Sequence, residues 1–495
     1  MGSFIFLQIC VVVCLVSITT TLFNKRFLNL PQAIGVPIVS ALLVFLLQWA
    51  ATLLNGNQFF SINIEAIEQT VRNIDFYDFL INGVICFILT ASALKFKVSD
   101  LRNHWKPIGI LATLALLLCA LVFGLLVFAY QYMTANYVPL IVLLLLGSAL
   151  GATDPIGIKG VLSSIKAPEH LMIKLEGESL FNDAMCIAIF MTILKVVQGA
   201  EFALLPAMNH LVYEILVAII IGTVFGKIAL YILKGENETE SLILTTAILA
   251  AGSYLVALYA HASAPIACVI GGLMVGNRWQ EILDKQDIDE VNHFWHTIEG
   301  IINSFLFTLI GLELFILDLN LALVVGGVVV FVLLHLARFV ANFTAFALFP
   351  SVRKNAYKGS LEILSWGGVR GGISLALILA VANVPQLSQY TNILIGYTFI
   401  VVLLSGVVCG LGLPAVINAF YYNPDEPKTG FMGWYQGVIH KIMNRSKRLY
   451  ILQEDQDGNQ VIALYEPTPK EREALPKYND VAHETPDTLN HPDRF

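Results

Sequence analysis

Long apolar segments recur along most of this chain, and they constrain its fold more than any other feature. An α-helix needs about 20 apolar residues to cross the hydrocarbon core of a bilayer, and most of the segments reach that length. Hydrophobic residues make up 57% of the 495 residues and charged residues only 13%, unlike a soluble globular protein. The sequence therefore predicts an all-α, polytopic membrane protein surrounded by the lipid bilayer.

We predict thirteen transmembrane helices from these segments. Their approximate bounds are 3–22, 31–54, 76–96, 107–134, 138–165, 168–197, 203–234, 238–260, 262–277, 294–317, 320–349, 360–384 and 389–418. The first segment has no basic region ahead of it and no small-residue cleavage site, so we expect a transmembrane helix rather than a signal peptide. Residues 1–420 then form the transmembrane domain, and residues 421–495 form a polar C-terminal tail with one amphipathic stretch, 431–449.

Lysine and arginine residues segregate between alternate loops. One set of loops carries thirteen of them, whereas the other carries only Arg72 and Lys195. Basic residues are enriched in the cytoplasmic loops of membrane proteins. The sequence therefore predicts a multi-pass protein of the cell membrane, with its N-terminus outside and its C-terminus in the cytoplasm.

Charge and cysteine content exclude other classes of protein. The net charge is −7 and the basic residues form no stripe, so no nucleic-acid partner is expected. All seven cysteines lie in apolar segments, without a CxxC motif or a Cys/His metal-binding spacing. We therefore expect no cofactor.

Two of the predicted spans carry signals for a break in mid-membrane. In the fifth span, Asp154 precedes Pro155, which disfavours helical geometry at Asp154 and removes a backbone donor. In the twelfth span, four glycines flank the charge of Arg370. Broken backbone inside a membrane is tolerated where it lines a cavity, and such ends suit ion binding. A simple proline kink, with Asp154 capping the second half, is the alternative for the fifth span.

Acidic and polar residues cluster inside the sixth span. Ser179 and Asp183 lie four residues apart on one helical stripe. Glu178 and Asn182 share the neighbouring stripe. A carboxylate in a dry setting is costly to leave charged, so a proton and a cation would compete for Asp183. Asp183, Ser179 and Thr153 together offer the oxygen ligands that a hard cation such as Na⁺ prefers.

Arg338, in the eleventh span, needs a buried counter-ion, and Glu178 is the best candidate because it lies on the stripe next to Asp183.

The two interrupted spans occupy matching places if spans one to six and eight to thirteen are repeats. The offset between the two repeats is seven spans. Because seven is odd, the corresponding spans cross the membrane in opposite directions. The sequence therefore predicts two inverted six-helix repeats.

Several motifs occur along the chain in the order TDPIGI, GESLFND, SAPIACVIGGLMVGNR, FLFTLIGLEL, the Arg338 segment and GGVRGGISLAL. Together they resemble the sodium/proton exchanger family of the monovalent cation:proton antiporter-1 type, which includes the NhaP-like and NHE-like exchangers. The resemblance covers roughly residues 5–420. It implies an NhaA-like antiporter fold, in which a six-helix core with two crossing, unwound helices moves against a dimerisation domain. It also implies a homodimer.

The resemblance further implies roles for single residues. Asp183 is similar to the ion-binding aspartate of the family. Asn182 is similar to the asparagine of the family's Asn-Asp pair. In this family, an Asn-Asp pair accompanies one-for-one electroneutral exchange. The neighbours of the family's ion site correspond to Thr153, Asp154 and Ser179. Its buried ion pair corresponds to Glu178 and Arg338. Several relatives carry an acid near the end of the third span, where this chain has LTASAL with Thr90, so the choice among Na⁺, Li⁺ and K⁺ stays open.

The motifs favour a secondary antiporter for Na⁺ and H⁺, not an enzyme. An ion-coupled solute symporter, or a non-transporting sensor on the same scaffold, is the alternative, because repeats with broken helices recur in many transporters. An intramembrane aspartyl protease also uses two buried aspartates, but the Gly-x-Gly-Asp setting is absent from the sequence. We interpret the remaining ionisable residues as packed or solvated, with pH sensing or a vestibule as the alternative: His293, His296, His335, Glu299 and Glu313.

Overall fold

The computed structural model describes residues 2–54, 78–97, 105–134, 137–154, 158, 169–199, 204–235, 238–315, 317, 319–354, 359–422, 450–454 and 460–464. The chain divides into two compact units, Met1–Leu413 and Pro414–Phe495.

In the first unit, the described residues form helices and the segments that join them. In chain order, and including the helix that crosses into the second unit, the helices are α1 (Gly2–Phe23), α2 (Gln32–Leu54), α3 (Ile85–Lys95), α4 (Leu116–Met133), α5 (Leu140–Ala149), α6 (Glu169–Val197), α7 (Leu204–Leu233), α8 (Thr239–Tyr259), α9 (Ala264–Gly276), α10 (Lys285–Leu312), α11 (Leu321–Leu348), α12 (Pro350–Lys354), α13 (Ser360–Trp366), α14 (Gly372–Leu379), α15 (Thr391–Leu404) and α16 (Leu411–Phe420).

Each predicted apolar span overlaps at least one of these helices. Among the described residues, seven continuous helical stretches are long and apolar enough to cross a membrane: Gln32–Ala51, Trp105–Met133, Met172–Val197, Asn209–Leu233, Thr239–Tyr259, Leu321–Leu348 and Pro385–Ile417. The protein is therefore a multi-pass membrane protein. The exact number of crossings and the inverted repeat stay predictions.

Two of the predicted spans are interrupted. Helix α5 ends at Ala149, and residues 151–154 are not helical. Pro155 and the second half of that span, apart from Ile158, lie outside the described residues. In the twelfth span, residues 367–371 separate α13 from α14.

Helix α10 begins at Lys285 rather than near residue 294. Its first turns are charged, so they fall outside the apolar segment, yet one face is still buried. Val291 and Trp295 are each 1% exposed, and the Trp295 indole N–H donates to the Thr246 hydroxyl at 2.9 Å. Hydrophobicity alone therefore misplaced the start of this helix.

The second unit contains a three-stranded sheet that the all-α prediction did not include. Its strands are β1 (Tyr421–Tyr422), β2 (Tyr450–Glu454) and β3 (Gln460–Leu464). β1 pairs with β2 in parallel, and β2 pairs with β3 antiparallel, with Ile451 opposite Ala463. Between β2 and β3 the sequence has Asp457-Gly458, a dipeptide that favours a hairpin turn. The predicted amphipathic stretch 431–449 lies outside the described residues.

The helices of the first unit pack in two groups. The core group comprises α4, α5, α6, α11, α13, α14 and α15, and the outer group comprises α1, α2, α3, α7, α8, α9 and α10. Small residues allow close packing in the outer group, because a Cβ at Gly222 or Gly276 would collide with the backbone of Ala267 or Leu94. The two groups meet where α6 packs against α3 and α9 and where α14 packs against α10. The predicted ion-binding residues lie at this junction.

Candidate functional site

Two non-helical segments contact each other within the core group. We call residues 151–154 the first unwound segment and residues 367–371 the second. The Asp154 backbone N–H donates to the Val369 carbonyl at 2.8 Å, so the two segments are joined by a backbone hydrogen bond. A Cβ added at Gly371 would lie 2.9 Å from the Asp154 Cβ, closer than side chains approach in proteins. This close approach of the two segments therefore requires glycine at position 371.

Arg370 satisfies the carbonyl groups that the break in the fifth span leaves free. Its Nη1 donates to the carbonyls of Gly151 at 2.6 Å and Ala152 at 3.0 Å. The Ser374 hydroxyl donates to the Ala152 carbonyl as well, at 3.4 Å, and the Arg370 backbone N–H donates to Ser405 Oγ at 2.9 Å. Unpaired backbone groups are costly in a membrane, so this buried guanidinium replaces the missing helical donors.

Helix α6 brings a carboxylate to the first unwound segment. The Thr153 backbone N–H donates to Asp183 Oδ1 at 3.2 Å. One helical turn earlier, Ser179 Oγ accepts from the Thr153 hydroxyl at 3.0 Å and donates to the Thr153 carbonyl. Asp183 is only 3% exposed. A carboxylate, two hydroxyls and a carbonyl thus meet in a buried position, which is an oxygen-rich arrangement.

Asn182 holds the same segment from the neighbouring stripe of α6. Its Nδ2 donates to the Gly151 carbonyl at 2.8 Å and to Thr153 Oγ1 at 3.3 Å. Its Oδ1 accepts from the Cys186 thiol at 3.5 Å. The amide group of Asn182 therefore fixes the position of the unwound backbone.

A small cavity lies at the junction of the two helix groups. Asp183, Asp154 and Thr153 line it from the core group, and Ser92 of α3 and Asn303 of α10 line it from the outer group. The rest of its wall is apolar or glycine. Two carboxylates therefore face one space between helices that belong to different groups.

The five residues predicted to bind the ion divide into two sets. Asp183, Asp154 and Thr153 line the cavity, whereas Ser179 and Asn182 contact the unwound segment outside the cavity wall. Helical spacing could not separate the sets, because Ser179 and Asp183 share a stripe. The separation depends on how the unwound segment lies across α6.

Glu178 and Arg338 form a buried ion pair. Arg338 Nη2 lies 2.7 Å from Glu178 Oε1, and the two side chains are 7% and 4% exposed. Arg338 also donates from Nε and Nη2 to the Leu364 carbonyl, at 3.2 and 3.1 Å. A Cβ at Gly368 would lie 2.9 Å from Arg338 Nε. The pair therefore links α6, α11 and the end of α13 beside the second unwound segment.

Several polar residues at the site were not singled out by the sequence. They interrupt apolar spans as single hydroxyl or amide groups, a signal too common in membrane helices to identify a site. These residues are Ser92, Asn303, Ser374 and Ser405.

Comparison with known proteins identifies the family. The family described as sodium/hydrogen exchanger, transmembrane, matches residues 13–419. The Na⁺/H⁺ antiporter NhaP of Pseudomonas aeruginosa is 32% identical over 419 residues, which cover 83% of this chain and 96% of that protein. The Na⁺/H⁺ antiporter NhaG of Bacillus atrophaeus is 28% identical over 73% of this chain and 68% of its own length.

The fold is shared with a solved antiporter. The structure of the sodium proton antiporter MjNhaP1 from Methanocaldococcus jannaschii at pH 8 matches with a TM-score of 0.65 and 20% identity. The match covers 83% of this chain and 98% of that one. The resemblance predicted from the motifs is thereby confirmed, and the chain belongs to the sodium/hydrogen exchanger family.

Proposed function

We propose that this protein is a secondary antiporter that exchanges Na⁺ for H⁺, with Asp183 binding the two ions in turn. One observation carries the proposal: the buried Asp183 carboxylate lies against the unwound backbone at Thr153, in a cavity between two helix groups. Such a site can hold a dehydrated cation or a proton, but it is costly to leave empty and charged. The names of the relatives, Na⁺/H⁺ antiporters, support the same function.

The charges around the cavity favour one-for-one exchange. Asp154 and Asp183 contribute two negative charges, and the Arg370 guanidinium contributes one positive charge beside them. One negative charge is left, which a single Na⁺ or a single proton neutralises. Because the site returns to the same charge with either ion, the exchange moves no net charge.

The polar groups of the site have different roles in cation binding. Asp183 and Thr153 are the cation ligands that line the cavity, and Asp154 contributes the second carboxylate. The hydroxyl of Ser179 joins them when the cation displaces its hydrogen bond to Thr153. Asn182 positions the unwound segment rather than binding the ion. This ligand set contains only hard oxygen donors, which suit Na⁺ or Li⁺ and also accept K⁺.

Alternating access follows from the position of the cavity between the helix groups. A movement of the core group along α3, α9 and α10 would expose the cavity to one side of the membrane and then to the other. We propose that the outer group stays fixed as the interface of a homodimer in the cell membrane, with the C-terminus in the cytoplasm. Helix α7 supports this assignment. Only 22% of its most apolar stretch is buried within the chain, so the helix presents an apolar surface.

Dequenching of a pH-sensitive dye in everted vesicles tests the exchange. Addition of Na⁺ to vesicles acidified inside is expected to release protons, and Li⁺ and K⁺ then rank the selectivity. Dissipating the membrane potential with an ionophore is expected to leave the rate unchanged, because the exchange is electroneutral. If none of the three cations causes dequenching of the dye, a symporter or a sensor on this scaffold would be favoured.

Substitution of Gly371 tests the close approach of the unwound segments. Gly371→Ala places a methyl group 2.9 Å from the Asp154 Cβ, so the carboxylate must move. Overpacking of this kind costs about 1–3 kcal/mol, so we expect the half-saturation constant for Na⁺ to rise roughly tenfold. Gly109→Ala is the matched control, since a Cβ there meets nothing within 4 Å. Equal constants for the two variants would contradict the assignment of Asp154 to the site.

A further inference from the structure

A wide vestibule leads from the surface to the ion cavity. It is lined by the ends of α3 and α9, by the first half of α10 and by α6. Ser92, Leu180 and Asn303 line both the vestibule and the cavity, so the two spaces meet at these residues. We call this place the neck. Lys95 and Arg278 lie on the vestibule side, which the distribution of basic residues predicts to be cytoplasmic.

A carboxylate and an ammonium group line the vestibule beside the neck. Lys95 Nζ lies 2.6 Å from Glu299 Oε2, and the Ser92 hydroxyl donates to Glu299 Oε1 at 3.2 Å. One helical turn further along α10, the Asn303 side chain donates to the Glu299 carbonyl at 2.7 Å. Glu299 therefore lies in the middle of α10, in the vestibule wall next to residues that also line the cavity. The interpretation of Glu299 as a solvated group at a helix end was wrong.

Both groups of the pair remain in partial contact with solvent. The Lys95 and Glu299 side chains are 26% and 14% exposed. An ion pair of this kind is worth little in stability, because water screens the charges. It can still open and close, so that the carboxylate meets a cation from the vestibule whenever the ammonium leaves it.

We propose that Glu299 is the access site for the transported cation on the vestibule side and that Lys95 is a tethered competitor for it. This inference rests on the proposed exchange function. The Lys95 ammonium carries the same single positive charge as Na⁺, and in this structure it is paired with the Glu299 carboxylate. A cation arriving from the vestibule displaces Lys95, gains the oxygens of Glu299 and Ser92, and is then passed to Asp183.

A purely structural role for the pair leads to a different expectation. If the pair only ties α3 to α10, loss of either partner weakens the same tie, and both variants change transport in the same direction. If Lys95 competes with the cation, loss of Lys95 strengthens cation binding and loss of Glu299 weakens it. The sign of the change therefore separates the two roles.

The experiment measures half-saturation constants for Na⁺ in everted vesicles, which expose the predicted cytoplasmic side. Lys95→Met is expected to lower the constant about fivefold and Glu299→Gln to raise it about fivefold, with maximal rates within about twofold of the wild type. Glu290→Gln is the matched control, because Glu290 lies on the same helix, binds Thr239 and Gln286, and does not line the vestibule.

The double variant tests whether Lys95 acts through Glu299. In Lys95→Met/Glu299→Gln the constant is expected to equal that of Glu299→Gln, because the competitor has nothing left to compete for. Glu299→Met, which also removes the carboxylate, replaces Glu299→Gln in the single and double variants if Glu299→Gln does not fold. Shifts of both single variants in one direction would overturn the inference and leave the exchange function standing. A wild type that moves no protons with any cation would overturn both.

Discussion

Replacement of Asp183 with asparagine is expected to abolish cation-driven proton movement. Asparagine has nearly the same shape and can still accept the Thr153 N–H bond, so the fold around the site should survive. The amide binds no proton at physiological pH and offers no negative charge to a cation. Both half-reactions are lost together, and we expect the rate to fall by at least about a hundredfold. Dye dequenching in everted vesicles with Na⁺ measures this loss.

Two comparisons decide whether Asp183 itself carries the ions. Asp284→Asn makes the same chemical change at an exposed position next to α10, and its rate should equal that of the wild type. Asp154→Asn removes the second carboxylate of the cavity and should weaken cation binding while leaving slow exchange. Full activity of Asp183→Asn together with an inactive Asp154→Asn would assign the ion to Asp154 instead.

The sequence located the broken spans because the cause of each break is local. Proline at position 155 and the glycines around Arg370 act on the backbone within one or two residues. The structure places non-helical backbone at residues 151–154 and 367–371, where these signals lie. Apolar length marked the helices in the same way, since every turn inside a bilayer needs its own apolar residues.

The partners of the buried charges could not be derived from local spacing. Arg370 is 219 residues from Gly151, whose carbonyl it binds, and the sequence offers no measure of that distance. Helical spacing also grouped Ser179 with Asp183, although only Asp183 lines the cavity. The Lys95–Glu299 pair joins α3 to α10, and apolar length misplaced the start of α10. These features depend on packing between distant helices.

Removal of the Arg338 guanidinium is expected to destabilise the protein more than any other change considered. In Arg338→Met the Glu178 carboxylate stays buried without its cation, and the Leu364 carbonyl loses two donated bonds. Loss of one partner of a buried pair costs about 3–5 kcal/mol. We expect a large fall in the thermal midpoint of the detergent-solubilised protein, measured by fluorescence-detected size exclusion after heating.

The control for this prediction is the pair formed by the half-exposed Lys195 and the largely buried Glu214. Their charged groups lie 3.5 Å apart, the Lys195 side chain is 53% exposed, and His210 Nδ1 lies 3.3 Å from the same Glu214 oxygen. Because Glu214 keeps this second partner, Lys195→Met should cost no more than about 1 kcal/mol. Equal midpoints for Lys195→Met and Arg338→Met would contradict the view that burial makes the Arg338 pair critical.

A double variant separates the stability of the Arg338 pair from transport. Glu178→Leu/Arg338→Met removes both charges, so no uncompensated charge stays buried, and it should recover much of the stability that Arg338→Met loses. The Leu364 carbonyl still lacks its donors, and recovery should therefore be incomplete. Neither residue lines the ion cavity, so the recovered protein is expected to exchange Na⁺ with an unchanged half-saturation constant. A stable double variant without exchange would instead give the pair a direct part in the movement of the core group, because α6 carries both Glu178 and Asp183.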